Sequence, residues 1–468
     1  MSTKARNRLR ESVRAFRATA TNRNLRRMQL SFGASWTAEW AFTVALGVVA
    51  FEQGGTAAVG LVAFVRTVPA AVLSPLGRAL ADRVRRDRVL FWSCLIRAAA
   101  TAAAAALLAT GSSITSVYAL AVVATAAFTV FRPVHSALLP VLCLTPLELT
   151  SANVVRGLID SLSTLLGPLA AAALLGFGSP AAVVAFAAVL SAWSGLLILG
   201  LSYEPPPRAA PPPLTRILDE TAEGYRALWR YRDARAAVGI GLAQVFTRGC
   251  LTVFLVVVAL DLLEMGESGV GVLTAAVGAG AVLGSLGVSA FASGRRLAAI
   301  EGVGVALWGL PLILSGALPH EPAVLALMCV VGIGNALVDG GLFTLVPRLV
   351  PEEMLARAFG AFESLVALFV ALGALVTPLV IELLGLRGAL AALGLVAPAA
   401  VAVAWRRLRK VDSSMAHRDE EIEVLRAVRC CDHSRCPRSR TWRSTSTTRS
   451  CSPASTCSIR ESMASAST

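Results

Sequence analysis

Glu39 and Arg66 each stand alone among apolar residues, in "ASWTAEWAFTVALGVVAF" and "AAVGLVAFVRTVPAAVL". Ionisable groups inside a bilayer are costly and mark functional sites by default. Counted from the turn near Gly54, they lie about 15 and 12 residues deep, roughly 4–5 Å apart in depth at a helical rise of about 1.5 Å per residue. An ion pair fits. Its chemistry would be proton coupling: a carboxylate that exchanges a proton beside a cation. The structural alternative is a pair that only holds two helices together.

Further charges are spaced in the same manner. Arg132 and Asp339 occupy equivalent places in two short segments, "FRPVHSALLP" (131–140) and "VDGGLFTLVP" (338–347), which align without gaps. "IDSL" (159–162) likewise resembles "FESL" (362–365), which sets Asp160 against Glu363. Arg132 and Asp339 could close a gate across a cavity, or each could pair within its own half, Arg132 with His135 or Asp160. Arg248 and Gln244 share a helix face at i, i+4, as do Arg156 and Asp160. The first pair is expected to line the cavity, and the second to serve the gate. Arg97 has no evident partner and is left unassigned. No Ser-His-Asp grouping, HExxH or Walker loop occurs, and the four histidines do not cluster. No catalytic, cofactor-binding or metal-binding residue is therefore expected, and the chain is not read as an enzyme. "GAGAVLG" (278–284) follows no strand, and its small residues read as a helix-packing surface.

These residues need elements that can carry them through apolar surroundings. Of 468 residues, 56% are hydrophobic and 15% charged, against about 25% charged in a soluble domain. The mean hydropathy is +0.68. Charges cluster and leave runs of about 20 apolar residues, the length that spans a bilayer as a helix. The spacing predicts an all-α membrane protein with helices at about 30–51, 57–79, 89–109, 115–139, 153–176, 180–201, 238–262, 269–292, 298–317, 322–346, 357–381 and 387–405. The expected organisation is a basic arm (1–29), a first six-helix bundle (30–202) and a linker with an amphipathic helix (203–236). A second six-helix bundle (237–410) and a linker with a disordered tail (411–468) complete it. The net charge of +14 would suggest nucleic acid in a soluble protein. Here it follows from Lys and Arg gathering in cytoplasmic loops, so no nucleic-acid partner is expected and both termini are placed in the cytoplasm.

One such loop, "LGRALADRVRRDRVL" (76–90), holds five arginines and two aspartates. It resembles the signature loop of the major facilitator superfamily between helices 2 and 3. Leu80, Ala81, Asp82, Arg83, Arg86 and Arg88 match. The first signature glycine is displaced to Gly77, and Arg85 replaces the second. The resemblance implies two pseudo-symmetric bundles, a cavity lined by helices 1, 4, 7 and 10, and a charge-relay role for the loop. Asp82, with Arg83, Arg86 and Arg88 behind it, is expected to latch the first half to the start of helix 11 near Arg357.

"ANVVRGLIDSLSTLLGP", "GNALVDGGLFTLVPRLVPEEMLARAFGAFESL" and "AEWA" resemble a bacterial exporter branch that often carries a C-terminal cyclic-nucleotide-binding domain. Residues 412–428 look like the linker into it. Residues 429–468 then hold 11 Ser, 7 Arg, 6 Thr and 5 Cys but no Leu, Val or Phe, a composition that cannot bury a core. Shifting the reading frame turns parts of this tail into apolar helix-like sequence. The tail is thus expected to be an out-of-frame reading in place of that domain, with a natural disordered tail as the alternative.

The functional expectation is a secondary transporter in the cell (inner) membrane, working as a monomer, that exports an amphipathic or hydrophobic compound in exchange for protons. Its partners would be that small molecule, protons and the lipid bilayer. The alternative is a transporter-like sensor or regulated permease that has lost its nucleotide-binding domain.

Overall fold

The computed structural model describes residues 21–203, 222–226, 229–230, 232–291, 297–349, 352–410, 412–413, 442–443 and 448–449. For 70–83, 146–147, 232–234, 286–291, 297, 340–349, 352–353, 355–360, 442–443 and 448–449 it describes the backbone alone. Ten helical stretches are long and apolar enough to cross a membrane. Two of them are each a pair of helices joined at glycine: Arg23–Arg83 breaks at Gly54 and Gly55, and Glu352–Gly394 breaks at Gly385. Gly55 has φ 60° and Gly385 φ 71°, the left-handed region that glycine adopts without penalty. Twelve spans result.

They are α1 (23–53), α2 (56–83), α3 (Arg86–Ala109), α4 (Ile114–Leu142), α5 (Pro146–Phe177) and α6 (Pro180–Leu199) in the first half. The second half has α7 (Arg232–Val257, running on as a wider π turn to Leu262), α8 (Gly266–Phe291), α9 (Leu297–Ala317), α10 (Glu321–Leu349), α11 (352–384) and α12 (386–410, interrupted at Leu395). The fold is the all-helical one expected.

Helix starts follow from local chemistry. Asn22 Oδ1 accepts from the backbone N–H of Asn24 and Leu25 at 3.1 and 3.2 Å, so α1 begins well before its apolar stretch. At α5, Thr145 Oγ1 accepts from Glu148 N at 3.2 Å and Glu148 Oε2 from Leu144 N at 2.7 Å, a reciprocal capping box. The start of α9 is capped from far along the chain: Asp412 accepts from Ala298 N and Ala299 N at 2.9 and 3.0 Å.

The two halves meet along α2 against α11 and along α5 against α8. A methyl group at Gly60 of α2 would sit 2.6 Å from the Ala374 carbonyl oxygen of α11. One at Gly271 of α8 would sit 2.7 Å from the Pro168 oxygen and the Ala172 nitrogen of α5. Gly47 of α1 faces Val256 of α7. These close approaches all lie toward the side remote from Asn22 and Lys410. Gly280 and Gly284, read as a packing surface, meet Cys329 and Ile333 of α10.

Residues beyond Asp412 form a separate unit. In it Trp442–Arg443 pairs antiparallel with Thr448–Arg449. The rest of the tail, with the out-of-frame expectation, lies outside the described residues.

Candidate functional site

A cavity of about 990 Å³ lies between the halves, lined from α1, α2, α4, α5, α7, α8 and α11. The expectation for its walls is corrected. Helices α2, α5, α8 and α11 contribute alongside α1, α4 and α7, whereas α10 contributes no described lining residue. The cavity carries charge from both halves. Glu39, Arg66, Arg132, Arg156, Arg248 and Glu363 all line it, beside Trp36, Trp40 and Phe128.

Glu39 is held from two sides. Arg66 Nη2 donates to Glu39 Oε1 at 2.6 Å, and Arg97 Nη2 to Oε2 at 2.9 Å. Arg66 also donates to Thr43 Oγ1 at 2.8 Å, and that hydroxyl donates to the Glu39 carbonyl. Arg97 further donates to the Ser35 carbonyl at 3.1 Å, and its Cζ lies 4.4 Å from the Phe128 ring centroid. Arg97 is 2% exposed, against 13% for Arg66 and 15% for Glu39. Sequence reasoning missed this second arginine. Depth was the available signal. Counted from Gly111, Arg97 is about 14 residues deep, or roughly 21 Å, level with Glu39 counted from Gly54.

Toward the side of the termini lies a second group. Arg132 stacks over Trp36 at 5.4 Å and Arg156 over Phe32 at 5.1 Å. Arg248 lies in the field of Asp339, Asp160 and Glu363 as well as Arg132, and Asp160 in that of Arg132, Arg156 and Arg248. Arg132 and Asp339 thus interact through space, but no direct ion pair joins them among the described residues. Asp339 accepts instead from Asn335 Nδ2 at 3.1 Å. His135 is not the partner of Arg132. It is fully buried between Phe32 and Phe131, with Nε2 3.3 Å from the Met28 carbonyl. Gln244, placed on the cavity face from its spacing, is buried in helix packing and is absent from the lining.

The basic loop is tied to its own half. Arg86 Nη1 donates to the Ala137 carbonyl of α4 at 2.8 Å. Arg85 forms a two-pronged pair with Asp87 at 3.0 and 3.2 Å, and the Tyr203 hydroxyl donates to Asp87 at 3.2 Å. Burial, with the Asp87 carboxylate beside it, pushes the Tyr203 phenol above its ordinary range. Arg88 is exposed. The side chains of Asp82, Arg83 and Arg357 lie outside the described residues, and so does the latch built on them.

Twelve spans in two halves around a polar central cavity define a multi-pass carrier of small molecules. The chain belongs to the Major Facilitator Superfamily, whose family model matches residues 29–368 and 240–449. Solved transporters share its fold. The nucleoside transporter NupG (D323A mutant) is 17% identical with a TM-score of 0.67, over 83% of this chain and 100% of its own. A POT family transporter in complex with 5-aminolevulinic acid is 14% identical with a TM-score of 0.67, over 82% and 96%. The human organic anion transporter MFSD10 (TETRAN) is 17% identical with a TM-score of 0.60, over 81% and 98%. No curated protein matches the chain. The protein is a membrane transporter of this superfamily and not an enzyme.

Proposed function

We propose that the protein is a proton-coupled secondary transporter of a small amphipathic molecule, working by alternating access, with Glu39 and Arg66 as its coupling centre. One observation carries this reading. A cavity of about 990 Å³, ample for a drug-sized ligand, is lined by charges from both halves while the halves pack tightly on the side away from the termini. With the termini cytoplasmic, as the basic loops imply, the packed side is the outer one and the cavity would load from the cytoplasm. That suits efflux through the cell membrane. Coupling to protons would run through the Glu39 carboxylate. Protonation of Glu39 would release Arg66 and free the bundles to rock.

The test is flux in proteoliposomes carrying an imposed pH gradient, with candidate amphipathic compounds and a pH-sensitive dye inside. The expected result is substrate movement that a proton gradient drives in the parent and not in Glu39→Gln, with both proteins equally reconstituted. Proton-driven transport of normal rate in Glu39→Gln removes Glu39 from the mechanism. A sensor that moves nothing would show no flux with any compound that binds.

A further inference from the structure

The charges around the cavity do not balance evenly. In the group near the termini, Arg132, Arg156 and Arg248 face Asp160, Asp339 and Glu363, three cations against three carboxylates. At the other group two arginines share the single carboxylate of Glu39. Among the described residues one positive charge is left over there. The two arginines are not equivalent. Arg97 is sealed beneath the wall, whereas Arg66 lines the cavity. The surplus is therefore presented to the cavity through Arg66.

Resting on the transporter reading above, we infer that the substrate is an amphipathic monoanion whose carboxylate, or a similar oxyanion, docks on Arg66. On docking, Arg66 is handed from Glu39 to the substrate, and Glu39 stays paired with Arg97. Each guanidinium then has one anion and the group is neutral. Trp36, Trp40 and Phe128, with Val44, Val62 and Val370, supply the wall for the apolar body. Arg97 is a positioning residue: it holds Glu39 in place while Arg66 changes partner.

The sign of linkage follows. A bound anion repels the Glu39 carboxylate and takes away one of its cations, so anion binding favours proton uptake and never proton release. The surrounding charges, Arg132, Arg156, Arg248 and Glu363, are present before and after docking and do not alter that sign.

Three naphthalene probes of one shape test this by calorimetry on the full chain in detergent: 1-naphthaleneacetate, its neutral amide and 1-naphthylmethylamine. The expected order of affinity is anion over amide over amine, with the anion at least ~10-fold tighter than the amide. Arg66→Gln should bring anion affinity down to that of the amide within the same variant, and Arg66→Lys should keep part of the preference. Arg97→Gln should weaken the preference although Arg97 cannot touch the probe, and Arg97→Lys should restore it. Glu39→Gln, which leaves Arg66 free, should bind the anion as tightly or more so, and this arm stands even if Arg66→Gln fails to fold. Titrations in two buffers of different ionisation enthalpy should show proton uptake or none. Equal affinities, a preference that survives Arg66→Gln, absence of saturable anion binding, or proton release on binding each overturn the inference. An intact preference with no flux in vesicles would instead sink the transporter reading alone.

Discussion

At the scale of single residues, the Glu39 group decides more than its individual contacts do. Removing one member of a buried ion pair leaves the other unmatched and costs about 3–5 kcal/mol, whereas replacing buried charge by a well-packed apolar group is often neutral. Glu39→Gln strands Arg97, which is 2% exposed. Arg97→Met leaves Glu39 on Arg66 and removes the surplus charge. Glu39→Gln should therefore lower the thermal midpoint in detergent clearly, and Arg97→Met should lower it less. Equal losses would mean that Arg97 contributes chiefly by packing against Phe128. The Glu39–Arg66 proximity was legible in the sequence because both residues could be counted from one turn. The role of Arg97 was harder to read, because depth places it level with Glu39 but does not show that one carboxylate serves two arginines. Gln244 shows the opposite error. A shared helix face with Arg248 was read as a shared environment, but one turn along α7 the cavity gives way to packing against α11.

At the scale of elements, hydropathy located all twelve spans, and the structure lengthens many of them. The reason is physical. A helix continues past the apolar window as long as its end groups find partners, and charged flanks such as Arg23–Arg27 or Arg86–Arg88 remain helical while reading as loop. What no local pattern could show is a cap supplied from the other end of a bundle. Asp412 closes α9 by accepting from Ala298 N and Ala299 N, 114 and 113 residues away in sequence. Loss of an Asp cap typically costs ~0.5–2 kcal/mol. Asp412→Ala should lower the thermal midpoint and raise amide exchange at the start of α9, whereas Asp412→Asn should retain most of the cap. If exchange at 297–300 is unchanged in Asp412→Ala, the contact contributes nothing to holding that end. The internal repeat was legible as a faint match between helices α4 and α10, yet of these two only α4 contributes described residues to the cavity wall, which α2, α5, α8 and α11 also build. Repeats reveal which helices are equivalent, not which of them face the interior in a given state.

At the scale of the whole molecule, the question is which contacts keep the far side shut. Small residues let α8 approach α5 there: a β-carbon at Gly271 meets backbone atoms at 2.7 Å, and backbone cannot step aside as a flexible side chain can. Forcing volume into such a seam costs about 1–3 kcal/mol. That strain is borne only by the state in which the halves are packed at this point. The opposite state, open on the far side, is spared it, so the equilibrium should move toward that state by roughly 5–150-fold. Gly271→Leu is the variant to make, combined with Val256→Cys as reporter, since Val256 lies on α7 against Gly47 and is 3% exposed. Labelling of Cys at that position by a membrane-impermeant maleimide applied from the far side should rise several-fold, and turnover should fall because the return step becomes uphill. The native cysteines Cys94 and Cys250 are buried, and a Gly271→Leu protein without the reporter fixes the background. Unchanged labelling in a monodisperse, folded variant would show that the α5–α8 seam does not control access. The closed side would then be held by the α2–α11 contact at Gly60, where the same substitution and the same readout apply.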